Sequence, residues 1–124
     1  MVMVTHLSVS LAPHGHQGLT IVSIEEIFYM RYDRYIKRVV IRVADRNFYL
    51  TGPLAFWVDA INNSGYTFEF INRRTAVNIK YATGIDTRKC LIHICLGDIN
   101  QWVEMSWTLC QEIAKKYPII PDRK

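Results

Sequence analysis

Phe68-Glu69-Phe70-Ile71-Asn72-Arg73-Arg74-Thr75-Ala76-Val77-Asn78 is the stretch on which the reading of this sequence turns. Thr67 to Ile71 alternates as a half-buried strand does, with Phe68 and Phe70 directed inward. Asn72-Arg73-Arg74 interrupts the alternation and reads as a charged turn. Thr75 to Asn78 is too short to show a period, and the expectation there is a tight turn or a single helical turn.

The same alternation recurs on both sides of this stretch. Lys37 to Val43 is the clearest strand, with Val39, Ile41 and Val43 facing a core and Arg38 and Arg42 facing out. Asp45-Arg46-Asn47 turns it into a hairpin partner at Phe48 to Leu50. Further strands are expected at residues 3–11, Leu19 to Val22, Ile27 to Arg31, Ile79 to Ile85, Cys90 to Leu96 and Gln101 to Met105. Ala12 to Gly18 is a loop by composition, Ser23-Ile-Glu-Glu a short capped turn, and Tyr32 to Ile36 a connection. Two helices interrupt the strands. Gly52-Pro53 opens the first, with Leu54, Trp57, Val58 and Ile61 as its apolar stripe, and Asn62 to Gly65 closes it. Ser106 caps the second, which runs to Tyr117 and stops at Pro118. Its stripe is Cys110, Ile113, Ala114 and Tyr117, and Glu112 and Lys116 are spaced to pair on the exposed side. The fold class is therefore mostly β with short helices (α+β), in small antiparallel sheets.

At 124 residues the chain has room for one domain, residues 1–124, and one hydrophobic core. Half the residues are hydrophobic and 21% charged, a globular profile. The three cysteines, Cys90, Cys95 and Cys110, lie in apolar runs, which suits reduced thiols better than a disulfide framework. No apolar run approaches a bilayer span, and Met1 to Ala12 alternates (Val2, Val4, Leu7, Val9, Leu11) with no signal-peptide core. A cytoplasmic protein without a membrane partner is expected.

Catalytic signatures are missing from the pattern. The acids are scattered, Cys90 and His93 fall on opposite faces of a strand, and neither GxxxxGK[ST] nor GxGxxG occurs. His14-Gly15-His16 offers two imidazoles without further ligands, so no metal and no cofactor is expected. The basic residues carry more information. Arg31, Arg34, Lys37, Arg38 and Arg42 crowd one strand–turn–strand segment interleaved with Tyr32 and Tyr35, Arg73-Arg74 forms a second cluster, and Arg88-Lys89 a third. With a net charge of +4, these clusters suit phosphate contacts along a duplex, or a solvated sheet rim.

Order and content together resemble the LytTR family of bacterial DNA-binding domains. The family's most specific stretch, Phe-x-x-x-His-Arg-Ser-x-x-Val-Asn, matches at Phe68, Arg73, Val77 and Asn78, with Asn72 and Arg74 in place of its histidine and serine. Ile27-Phe28-Tyr29 resembles the family's opening strand, Arg34 to Arg38 its basic hairpin, and Leu54-Ala55-Phe56-Trp57 its short helix. Leu96-Gly97-Asp98 to Met105-Ser106 resembles its last hairpin, so the likeness spans about residues 20 to 117. The resemblance implies a stand-alone, sequence-specific regulator of transcription whose basic loops enter successive major grooves of bent double-stranded DNA, without the receiver or membrane segment common in the family. Lys37 and Arg38, with Arg34 beside them, and Asn72, Arg73 and Arg74 are the implied DNA contacts, while Asn78 serves the turn structurally. The family's remaining contact, the arginine of Val-Ser-Arg, is Trp107 here. Trp107, Cys110 and Ala114 fall at i, i+3 and i+7, so the helical period places the indole in the core. The other reading keeps it exposed at the helix start, against a thymine methyl or a protein partner. Homodimerisation on repeated half-sites and a regulatory protein partner are both compatible with the resemblance. Two other functions remain open: an interaction module or antagonist on the same fold that has lost DNA binding, and a β protein that stacks single strands on Tyr32 and Tyr35.

Overall fold

The computed structural model describes residues 3–123. Val2, counted above in the N-terminal alternation, lies outside the described residues. The strands are β1 (His6–Ser10), β2 (Leu19–Ser23), β3 (Tyr29–Asp33), β4 (Arg38–Arg42), β5 (Asn47–Leu50), β6 (Phe68–Asn72), β7 (Thr75–Asn78), β8 (Ala82–Asp86), β9 (Leu91–Leu96) and β10 (Ile99–Glu104). The helices are α1 (Leu54–Asn62) and α2 (Trp107–Lys116), with single 3-10 turns at Gly15–Gln17, Ile24–Glu26 and Ile79–Tyr81. A seven-stranded sheet runs β2-β1-β5-β4-β3-β7-β6, and a three-stranded sheet runs β10-β9-β8. Every ladder in both is antiparallel, as the alternating sequence anticipates.

The central hairpin follows directly from its pattern. Val39 and Ile41 of β4 pair with Leu50 and Phe48 of β5, which sets all four on one face. Met30 from β3 and Ala76 from β7 join them there. This face packs on α1 through Leu54, Val58 and Ile61. Trp57 lies partly buried at its rim, where the indole N–H donates to the Thr51 carbonyl at 2.7 Å.

Val40 lies between two outward arginines, yet it is also buried. A second core lies beyond one end of the sheet. There Phe28, Ile71 and Val77 meet Ile85, Ile92 and Ile94 of the small sheet and Cys110 and Ile113 of α2. Strands β3, β7 and β6 thus carry apolar side chains on both faces, and a period-2 reading sees only one of them.

Several expectations need correction. Thr75 to Asn78 is neither a turn nor a helical turn but the fully buried strand β7, inserted between β3 and β6. The helical turn comes one step later, at Ile79–Tyr81, so β8 begins at Ala82 rather than Ile79. β1 is confined to His6–Ser10, and β3 runs on to Asp33 through residues expected to connect strands. Ser23 begins its 3-10 turn without a side-chain cap bond, whereas Ser106 does cap α2, its Oγ accepting from Leu109 N at 3.4 Å. Lys116 does not pair with Glu112. Its Nζ reaches Glu69 Oε1 on β6 at 2.7 Å, and Tyr117 donates its hydroxyl to the same oxygen at 2.7 Å. Burial, and after it that carboxylate, hold the Tyr117 phenol well above the usual tyrosine range.

Asn78 fills the structural role expected of it. It is buried, its Nδ2 donates to the Ile27 carbonyl at 3.0 Å, and its Oδ1 accepts from Lys80 N at 3.2 Å. One amide thus joins β7 to the segment entering β3 and starts the following 3-10 turn.

Candidate nucleic-acid interface

Three basic turns arise from one local device. In each, the residue closing a strand turns its side-chain oxygen back onto a backbone N–H two residues ahead. Asp33 Oδ1 accepts from Tyr35 N at 2.9 Å and Ile36 N at 3.3 Å, which shapes the β3–β4 turn bearing Arg34 and Lys37. Asn72 Oδ1 accepts from Arg74 N at 2.9 Å and shapes the β6–β7 turn. Asp86 Oδ1 accepts from Arg88 N at 3.0 Å and Lys89 N at 2.9 Å and shapes the β8–β9 turn. Asp33 and Asp86 each spend an oxygen on their own turn, while the neighbouring Arg34, Lys37, Arg73, Arg74, Arg88 and Lys89 remain exposed.

Backbone hydrogen bonds set these turns side by side. Tyr32 N donates to the Arg74 carbonyl at 2.8 Å and joins the first turn to the second. Ser106 N donates to the Ile71 carbonyl at 2.8 Å and seats the start of α2 beside the second. Met105 N donates to the Cys90 carbonyl at 2.8 Å and brings in the third. The result is a row of backbone-linked turns: that of Arg34 and Lys37, then that of Arg73 and Arg74, then the start of α2 at Trp107, then that of Arg88 and Lys89. Between its first two members lies a concavity of about 450 Å³, lined by Lys37, Arg73 and Arg74 on the charged side and by Tyr32, Leu54 and Phe70 on the apolar side.

The sequence-derived candidates divide accordingly. Lys37, Arg73 and Arg74 come together around the concavity, and Arg34 is exposed on the first turn with its guanidinium 5.4 Å from the centre of the Tyr35 ring; no acidic side chain among the described residues ion-pairs with any of the four. Arg38 is diverted: its Nε donates to the Pro13 carbonyl at 2.8 Å and its Nη1 to the Lys37 carbonyl at 2.9 Å, fastening the 11–18 loop to β4. Asn72 commits its oxygen to the turn and keeps its amide nitrogen free to donate. Trp107 overturns the expectation of core packing, because its indole is 70% exposed. It is the first residue of α2, whose buried side chains are Cys110 and Ile113. Arg88 and Lys89 were visible as a cluster, but only the Met105–Cys90 bond places them in the row.

Elsewhere the chemistry is structural. The Cys110 thiol is pushed up to about 12 by burial and then by the neighbouring Cys90 thiol. His93 has both ring nitrogens occupied, by Thr83 Oγ1 at 2.7 Å and by Asn100 Oδ1, and stacks on Trp102. Among the described residues no cluster of three or more His, Cys, Asp or Glu side chains could hold a metal, and no helix is long and apolar enough to cross a membrane.

No family model and no curated protein matches the sequence. Among solved structures, the chain superimposes with a TM-score of 0.70 on the LytTr DNA-binding domain of a protein described as a methyl-accepting/DNA response regulator from Bacillus cereus. The match covers 90% of this chain and 95% of that domain at 12% identity. The fold is that of a LytTR DNA-binding domain. In this chain the motif from Phe68 to Asn78 forms β6, the charged turn and β7.

Proposed function

We propose that this chain acts as a LytTR-type module, residues 1–124 serving as one unit that binds duplex DNA in a sequence-dependent way to regulate transcription. The row of backbone-linked basic turns carries this reading. Its cations are exposed, no acidic side chain among the described residues ion-pairs with them, and their backbones are fixed relative to one another. Lys37, Arg34, Arg88 and Lys89 neutralise phosphates, which positions the module without reading sequence. Arg73 and Arg74, at the tip of the central turn, reach base edges in the major groove, where arginine's paired donors match guanine. Asn72 adds a free amide donor beside them. Arg38 acts as a brace rather than a contact.

The direct test is a fluorescence-anisotropy titration of bulk duplex DNA at low salt with the native chain and with the Arg73→Glu/Arg74→Glu double variant. The native chain should bind and the double variant should lose at least tenfold in affinity. Equal binding by both, or by neither, refutes the proposal. One observation favours a second reading, that of a module pairing with a related regulator: the exposed indole of Trp107 stands where the family carries an arginine. Under that reading the native chain would not bind duplex DNA, and Trp107→Ala would release a protein partner.

A further inference from the structure

β2 forms the outer edge of the seven-stranded sheet, and its register fixes which of its backbone groups are unpaired. Leu11 N donates to the Gly18 carbonyl at 3.1 Å and Ile24 N to the Thr5 carbonyl at 3.0 Å. These bonds bracket a ladder in which Val9 faces Thr20 and Leu7 faces Val22. Hydrogen-bonded pairs alternate with non-bonded pairs in an antiparallel ladder, so Thr20 and Val22 turn N–H and C=O toward β1. Leu19 and Ile21 therefore turn theirs outward, as does the Ser23 N–H, while the Ser23 carbonyl belongs to the 3-10 turn that begins at Ile24. No backbone hydrogen bond from the described residues reaches these outward groups.

Edge strands usually carry a lysine, a proline, a bulge or a cover that blocks further pairing. β2, Leu-Thr-Ile-Val-Ser, carries none of these, and the side chains of Leu19 and Ile21 are 73% and 67% exposed. The other edges are managed. β6 bears Glu69 and is tied to α2 through Ser106 and Lys116. β8 is lined by the C-terminal segment, with Ile85 N donating to the Pro121 carbonyl at 2.9 Å and Arg123 N to the Ile85 carbonyl at 2.7 Å. β10 ends on Glu104.

We infer that β2 pairs antiparallel with β2 of a second copy of this chain, about a two-fold axis through Ile21. The outward groups are self-complementary in that register. Ile21 exchanges both backbone bonds with the partner's Ile21, and each Ser23 N–H meets the carbonyl of the partner's Leu19. Two Ile21 side chains then abut on one face, each flanked by a Leu19, so the most exposed apolar side chains of the strand are the ones covered. A register slipped by one residue would oppose outward groups to groups already bonded to β1, which excludes it. One five-residue edge buries far less than the roughly 1,200 Å² of a stable interface, so the association is weak and depends on concentration. It uses none of the residues in the basic row and stands whether or not the chain binds DNA.

Sedimentation equilibrium on the DNA-free chain from micromolar to sub-millimolar concentration tests this. A monomer–dimer equilibrium is expected. Ile21→Lys should abolish it by placing two ammonium groups at the axis, with an unchanged melting curve because Ile21 is mostly exposed. Ile21→Pro removes only an outward N–H, not a bond to β1, and should abolish it as well. Amide exchange adds the position: Ile21 and Ser23 amides should slow as concentration rises, while Thr20 and Val22 are already protected in the monomer. A chain that stays monomeric throughout, an Ile21→Lys variant that dimerises like the native chain, or concentration-dependent protection that misses Ile21 and Ser23 would each overturn the inference.

Discussion

Salt dependence is the sharpest quantitative consequence of the basic row. Six exposed cations lie along it, and four of them, Arg34, Lys37, Arg88 and Lys89, are assigned to phosphates. If each of the four displaces one condensed counterion from duplex DNA, the slope of log affinity against log salt is about −4, at roughly 0.9 per phosphate contact. Raising salt fourfold then weakens binding by roughly two hundredfold. Lys37→Ala should reduce the magnitude of the slope by about one unit. Arg38→Ala supplies the contrast. Its guanidinium is held by the Pro13 and Lys37 carbonyls, so its removal should cost about 1–2 kcal/mol of stability through lost backbone bonds and leave the slope nearly unchanged. The assay is anisotropy on one labelled duplex at four or more salt concentrations, with urea unfolding run alongside. A slope shallower than about −2, or an equal change for Lys37→Ala and Arg38→Ala, would refute the assignment of this row as the phosphate-binding surface.

Three further outcomes follow from the structure. Trp107→Ala should cost no more than about 2 kcal/mol in urea unfolding, because a ring 70% exposed has little buried surface to lose, whereas a loss above about 3 would mean a packed indole. Asn78→Ala should cost about 2–3 kcal/mol by orphaning the Ile27 carbonyl and the Lys80 N–H, and should leave DNA affinity intact well below the melting temperature. The Cys110 thiol, raised from 9.0 to about 12, keeps its proton in the folded chain after the unfolded chain has lost it. Its contribution is complete below pH 9 and falls as pH rises from there toward about 12, so urea midpoints should decline over that window and Cys110→Ala should flatten the decline.

What could be read in the sequence was whatever a short period or a local cap determines. The β4–β5 hairpin was legible because Arg38 and Arg42 alternate with Val39 and Ile41, and α2 because Ser106 caps it and Pro118 follows it. β7 was not, since Thr75 to Asn78 is buried on both faces and has no polar residue in alternation to mark it. Ile71 was hidden for the same reason, belonging to a face that only the second core makes apolar. The Lys116–Glu69 pair spans 47 positions, so helical spacing pointed instead to Glu112. Trp107 misled because i, i+3, i+7 spacing shows which residues share a helix face, not how far the core extends along it: Cys110 and Ile113 are buried while Trp107 is 70% exposed. In the row itself, the residue types and the three clusters were legible. Their adjacency was not, because it depends on backbone bonds joining Tyr32 to Arg74, Ser106 to Ile71 and Met105 to Cys90.

Those same bonds make the row a ruler rather than a glove. Its graduations are set by peptide groups, so the spacing of the turns that bear Lys37 and Lys89 is held by the backbone, whatever their side chains do. A duplex laid along it has to bring its phosphates and grooves to the marks, and the energy of doing so depends on how readily each base step twists or kinks. Base pairs that touch no side chain would then still be selected, by their stiffness. Inserting one base pair between the segments that meet Arg73 and Arg88 would disrupt binding more than changing the identity of any base pair lying there.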